Sequence, residues 1–153
     1  LERWAVALLR SNASITALLF PAWAPSVGPN DLRVFGMRAF LPPGDIALRE
    51  SLPRLSVETR WTPSEFEQEQ GGVLQGAVAL YLYVTVPEDQ EEYGDKLIAA
   101  AILLLLSTHP TSVRMIAAGL ALSAEVTRER ISAFKGAWQY MAGFRSANVG
   151  VTA

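Results

Sequence analysis

Between Gln75 and Val86 the sequence alternates with the period of a strand, yet it is apolar or aromatic on both phases. Val78, Leu80, Leu82, Val84 and Val86 hold one side, and Ala79, Tyr81, Tyr83 and Thr85 hold the other. Successive strand side chains point to opposite faces of a sheet. A chain carrying this segment therefore needs its sheet covered, or matched by a partner, on both faces. Pro87 ends the segment, since proline cannot donate to a ladder. A second strand is as clear: Leu55, Val57, Thr59 and Trp61 alternate with Arg54, Ser56, Glu58 and Arg60, the pattern of a half-buried strand.

Helical spacing appears in three places. Trp4, Ala5, Leu8 and Leu9 share one face of Glu2 to Arg10. Asn12 is placed to cap a second short helix carrying Ile15, Leu18 and Leu19. After Pro87, the acids Glu88, Asp89, Glu91 and Glu92 stand where a helix N-terminus favours negative charge. A long helix follows through Tyr93, Leu97, Ala101 and Leu105 and stops before His109-Pro110. Two more extended segments are expected, Val113 to Leu122 and a stripe of Phe134, Trp138, Tyr140 and Phe144 at period two. Glu125 to Arg130, between them, fits a turn, a short helix or an edge strand. Arg33 to Leu41 reads as a weaker strand and Pro42 to Asp45 as a turn. The expected architecture is one α+β domain over residues 1–153, a mainly antiparallel sheet packed against one long helix plus a short N-terminal helical pair. A proline-rich loop or arm is expected at about 21–31, and an acidic loop at 62–72.

Hydrophobic residues make up 50% of the chain and charged residues only 18%. A membrane span does not account for this, because the longest apolar run, Leu97 to Leu106, is about half of the ~20 residues a helix needs to cross a bilayer. That run reads as a buried helix, and Glu2 and Arg3 open an amphipathic stretch and not a signal peptide. The remaining explanation is apolar surface covered by neighbouring subunits. With 13 Lys+Arg against 15 Asp+Glu and no dense basic stripe, sequence-specific nucleic-acid reading is not expected.

Candidates for chemistry are few. No cysteine is present, which removes thiolate metal sites and cysteine nucleophiles together. His109, the single histidine, has no Gly-x-Ser-x-Gly elbow to serve and reads as a helix-end residue. Gly71 to Gly76 lacks the lysine of a P-loop and precedes a strand, so it is a turn. Glu65, Glu67 and Glu69 would present three acids on one side if extended, but solvated loop acids are the preferred reading. The Phe134 to Phe144 aromatic stripe, with only Lys135 and Arg145 near it, reads as core or interface and not as a base-stacking platform. No catalytic residue, cofactor or metal site is expected.

The order of these segments resembles the tail terminator (tail completion) proteins of long-tailed bacteriophages and gene transfer agents. Leu8 to Leu19 looks like that family's opening pair of short helices, with the polar break Ser11-Asn12 between leucine-rich halves. Leu52-Pro53-Arg54-Leu55-Ser56-Val57 resembles its entry into the first core strand. Ala79 to Val86 followed by Asp89 to Ser107 looks like its strand and helix, and Gly136 to Arg145 is similar to its last strand. The extra length of Pro21 to Leu52 and the Val113 to Arg130 stretch depart from the pattern.

The resemblance implies a non-enzymatic virion protein assembled in the host cytoplasm: a homo-oligomeric ring, usually a hexamer, with no membrane association. Such a ring caps the tail tube protein, meets the head-side connector protein and leaves an axial channel through which DNA passes without sequence-specific binding. Glu65, Phe66, Glu67 and Glu69 are the expected partner-contact residues. A head-closure or adaptor subunit of the same kind of particle is the alternative, and a small homo-oligomeric ligand-binding or enzymatic α+β domain is the alternative of another class.

Overall fold

The computed structural model describes residues 2–24, 33–36, 52–69, 73–108, 121–122, 127–130 and 137–152. His109, Phe134, Gly71, Gly72, most of the proline-rich segment, the Pro42 to Asp45 turn and Val113 to Leu120 lie outside the described residues. Two short helices open the chain, α1 (Glu2–Ser11) and α2 (Ala13–Leu19). Asn12 caps α2 as expected, its side-chain oxygen accepting from the Ile15 N–H at 3.1 Å. The strands are β1 (Val34–Gly36), β2 (Arg54–Glu69), β3 (Val73–Pro87), β4 (Ala121–Leu122), β5 (Thr127–Arg130) and β6 (Ala137–Thr152). Between β3 and β4 runs the long helix α3 (Glu91–Ser107).

Among the described residues the strands form one sheet in the order β1-β2-β3-β6-β4, with β5 also pairing β6. Only β1 and β2 run parallel, and every other pairing is antiparallel. This is the expected α+β fold. Glu125 to Arg130, left open by the sequence, contributes β5, an edge strand over its last four residues.

Register decides which face is the core. Leu55 stands opposite Val84, which stands opposite Tyr140; Val57 opposite Leu82, opposite Ala142; and Leu80 opposite Phe144. All of these are buried, together with Val86, and the helices cover them through Ala5, Leu9, Ile15, Leu19, Leu97, Ile98, Ala101 and Leu105. α3 approaches the sheet closely at Gly94. A Cβ there would stand 2.8 Å from Cζ of Tyr140 and 2.9 Å from Cγ2 of Val86. Glycine weakens a helix interior relative to alanine, so its presence marks the spot where α3 touches the sheet. Three hydrogen bonds fix the helix in that seat. The Tyr140 hydroxyl donates to the Glu91 carbonyl at 2.7 Å, the Trp138 indole N–H to the Glu88 carbonyl at 3.2 Å, and the Tyr93 hydroxyl to the Leu18 carbonyl at 2.8 Å.

The structure corrects three expectations. The segment 62–72, expected as an acidic loop, is strand as far as Glu69: Thr62 pairs with Ala77, Pro63 with Gly76, Gln68 with Leu74 and Glu69 with Val73. Arg54 and Ser56, assigned by alternation to a solvent face, are buried. Arg54 lies with its guanidinium 4.4 Å over the Phe35 ring, which β1 supplies from beside β2. The apolar run of α3, expected to be buried, is buried on one side only, as Leu103 is 67% and Leu106 38% exposed.

Candidate functional site

Three surface features stand out, and none is a pocket of converging catalytic groups. The first is on the face of the sheet opposite the helices. Glu58 and Arg60 project from β2, and Tyr81 and Tyr83 from β3; Glu58 pairs with Tyr81 and Ser56 with Tyr83. Alternation puts these residues on one face, and the diagonal between Glu58 and Tyr83 is within reach of a tyrosine side chain. The Glu58 carboxylate is the hub. Its Oε1 accepts from Arg60 Nε at 2.8 Å, and its Oε2 accepts from Arg60 Nη2 at 3.2 Å and from the Tyr83 hydroxyl at 3.1 Å. The two-pronged guanidinium–carboxylate contact is the strong geometry for this pair. The Arg60 guanidinium also lies 5.4 Å from the centroid of the Tyr81 ring.

Electrostatics follow the geometry. The hydrogen bond and charge of Glu58 hold the Arg60 guanidinium above its ordinary value. Burial, then the hydrogen bond to Glu58, pushes the Tyr83 phenol up to about 12. A phenol whose folded value exceeds its unfolded value of about 10 contributes stability that is whole below pH 10. That contribution is lost as pH rises through 12. The tyrosinate absorbance titration of the folded protein should therefore contain a component near pH 12, and Tyr83→Phe should remove it. A titration unchanged by Tyr83→Phe would mean that the cluster does not form. The ion pair itself adds little to stability, since an exposed pair is screened by solvent, and the Arg60 side chain is 62% exposed.

The second feature is the far end of the β2–β3 hairpin, where the expected contact residues lie. Pairing of β2, β3 and β6 continues past Leu80 and Phe144 to Glu69, Val73 and Thr152. From Leu80 to Val73 that is roughly 20 Å at ~3.3 Å per residue. The β2–β3 register breaks between Pro63 and Gln68. Glu65, Phe66 and Glu67 fall in the break, while Glu69 is back in register opposite Val73. The break thus separates these residues by backbone geometry as well as by charge. β6 has its own register shift opposite Gly76–Val78, next to the β2 break, so the two strands that flank β3 are irregular in adjoining places. Irregularities of this kind bend a sheet and re-aim side chains.

The third is the outward side of α3, where Ala99, Leu103 and Leu106 are exposed at helical spacing. Among the described residues no helix is long and apolar enough to cross a membrane. Among the same residues no group of three or more His, Cys, Asp or Glu is arranged to hold a metal ion. The acids of the hairpin end were visible in the sequence; the Glu58–Arg60–Tyr83 cluster was not, although register alone would have brought Glu58 and Tyr83 together.

No protein-family model matches the sequence, and no curated protein matches it. Among solved structures, the fold superposes on a chain from the virion of a native gene transfer agent particle, with a TM-score of 0.68 at 17% identity. The match covers 99% of this chain and 95% of that one. A second solved chain, at a TM-score of 0.45 and 11% identity, is too distant to carry an argument. At such identity the likeness is one of fold: this chain has, from end to end, the fold of a chain found in a gene transfer agent virion.

Proposed function

We propose that this protein is a structural virion subunit of a phage or gene transfer agent particle, and within it the tail terminator. In this reading copies of the chain form a ring that caps the tail tube, joins it to the head-side connector and leaves an axial channel for DNA. The observation that carries the reading is the superposition on a gene transfer agent virion chain over nearly the full length of both chains. Two features described above support it. The outward stripe of Ala99, Leu103 and Leu106 leaves apolar surface that an assembly would cover. The strands β2, β3 and β6, which stay paired as far as Glu69, Val73 and Thr152, supply a hairpin end with which a ring could reach its neighbours. The work is done at surfaces, and no chemical step is assigned to any residue.

Electron microscopy of the purified protein, alone and mixed with the tail tube protein, tests this. Rings are expected, six subunits around, seated on the ends of finished tubes. Monomers under both conditions would sink the reading. Rings that bind the head-side connector and never a tube end would make the protein a neck adaptor instead.

A further inference from the structure

We infer that neighbouring copies of the chain join edge to edge, the outer edge of β2 in one copy pairing with the outer edge of β6 in the next. This rests on the ring reading, and it names the surfaces through which the copies meet. The observation behind it is what lies beside the strands. β1 covers β2 only as far as Val57, which stands opposite Gly36. On the other side of the sheet, β5 and β4 cover β6 only as far as Arg145. Past those points, out to Glu69, Val73 and Thr152, the sheet consists of β2, β3 and β6. Among the described residues neither outer edge has a neighbour there.

The backbone shows what the β2 edge offers. The Leu55 N–H donates to the Arg33 carbonyl at 2.7 Å, so it points away from β3. Hydrogen-bonding groups alternate in direction along a strand, and the β2–β3 register is unbroken from Arg54 to Pro63. Val57, Thr59, Trp61 and Pro63 therefore direct theirs outward as well. Pro63, which has no N–H, costs the β3 ladder nothing and sits where an edge strand tolerates proline. Thr59 and Trp61 each turn a donor and an acceptor to the outside. Such an edge is a template for another strand.

Two features point to a second copy as that strand. The two edges are irregular in adjoining places, β2 between Pro63 and Gln68 and β6 opposite Gly76–Val78. A broken edge is a poor template for a regular strand and a better one for a strand that shifts beside it. The edges also run in the same direction, because each is antiparallel to β3. Copies rotated about an axis along the strands would meet as a parallel ladder, the arrangement β1 and β2 already use. A contact between two different edges is head-to-tail and repeats until the rotation closes a ring. Closure leaves no edge unpaired, which a foreign strand added on one side would not achieve.

The chain has no cysteine, so introduced pairs report the contact. Glu69→Cys would be combined with Thr152→Cys or with Val151→Cys, since one of two successive strand residues shares the face of Glu69. Within one copy these positions are separated by β3, two strand spacings of ~4.8 Å. That exceeds the Cα separation of about 4.4–6.8 Å that a disulfide spans. Across joined edges of two copies they stand on adjacent strands. Under mild oxidation, one of the double variants should give a covalent ladder on denaturing gels. The ladder should end at the subunit number of the rings seen by microscopy in the same sample. Each single variant should run as monomer, and an equal mixture of two singles should stop at dimers. Thr62→Cys with Ala147→Cys or Asn148→Cys repeats the test at a second site, should the first disturb folding. Rings without crosslinks at either site would overturn the inference and leave the ring reading standing. A single variant that crosslinks to itself would overturn it too, because only a two-fold contact brings the same residue of two copies together. A parent protein that forms no rings would overturn both.

Discussion

Leu97→Ala is expected to destabilise the domain by roughly 2–5 kcal/mol, the range for deleting a buried aliphatic side chain. Leu97 is fully buried on the sheet-facing side of α3, among the residues that join the helix to β3 and β6. Alanine is the better helix former, so the substitution does not weaken the helix itself. The loss is one of packing and of the cavity left behind. Leu105→Ala, one further buried position along the same face, should behave alike. Leu103→Ala is the control: it deletes the same atoms from the same helix where 67% of the residue is already exposed. Its cost in an unassembled subunit should stay within about 0.5 kcal/mol. Denaturant midpoints for the three variants decide the matter. If Leu97→Ala and Leu105→Ala both cost less than about 1 kcal/mol, α3 is not held by the sheet, and the layer arrangement described above is wrong.

The largest functional effect should come from shortening the β2–β3 hairpin. Trp61 and Val78 are register partners, so a two-residue Asn-Gly turn can join them and replace Thr62–Ala77 without disturbing the pairs below. The described core residues of the hairpin, Leu55 and Val57 in β2 and Leu80 to Val86 in β3, all lie below that junction. The subunit should therefore fold, with a denaturation midpoint close to the parent's. Joining of tails to heads, counted by microscopy after complementation, should fall to background. In the proposed reading this segment carries the contact residues: Phe66 as an apolar anchor, with Glu65, Glu67 and Glu69 as its acidic surround. Phe66→Ala in the full-length hairpin should produce a large part of the same defect. Full infectivity with the shortened hairpin would show that the projection has no role, and the contact would then have to be sought elsewhere on the ring.

Much of the fold was legible where side-chain period and burial agree. Leu80, Leu82, Val84 and Val86 alternate and are all fully buried, and Leu97, Ala101 and Leu105 lie at helical spacing on the buried side of α3. The aromatic stripe of the last strand could be read from Tyr140 and Phe144 for the same reason. The sequence misled where partners override local preference. Thr62 to Glu69 contains Pro63, Ser64 and four polar or acidic residues that rarely favour strands, so it read as loop. It is strand because β3 supplies a ladder beside it, and Pro63 is tolerated where no second ladder lies on its other side among the described residues. Arg54 was misplaced because alternation cannot foresee that Phe35, from a separate short strand, will lie under its guanidinium. The Glu58 hub was invisible because its partner Tyr83 lies in another strand, and only the register of β2 against β3 makes them neighbours. Nor could the sequence foresee that Leu103 and Leu106 stay exposed, since the run Leu97 to Leu106 is apolar on every side of the helix.

The pairing of β3 with β6 has a consequence for how the subunit is made. β3 is central, yet its second neighbour arrives only after α3 and the whole stretch to Ala137 has been synthesised, because Pro87 is the partner of Ala137. Until then the β6 side of the core is open: Tyr140, Ala142 and Phe144 are missing, and Gly94 has no ring to seat against. A nascent chain stopped short of β6 would expose one long apolar strand edge, the kind of surface that pairs indiscriminately. Closing so distant a contact is slow compared with forming helices or local hairpins. Completion of the sheet must therefore await the synthesis of β6. An assembly surface that forms only once β6 is in place would admit only subunits whose sheet is complete.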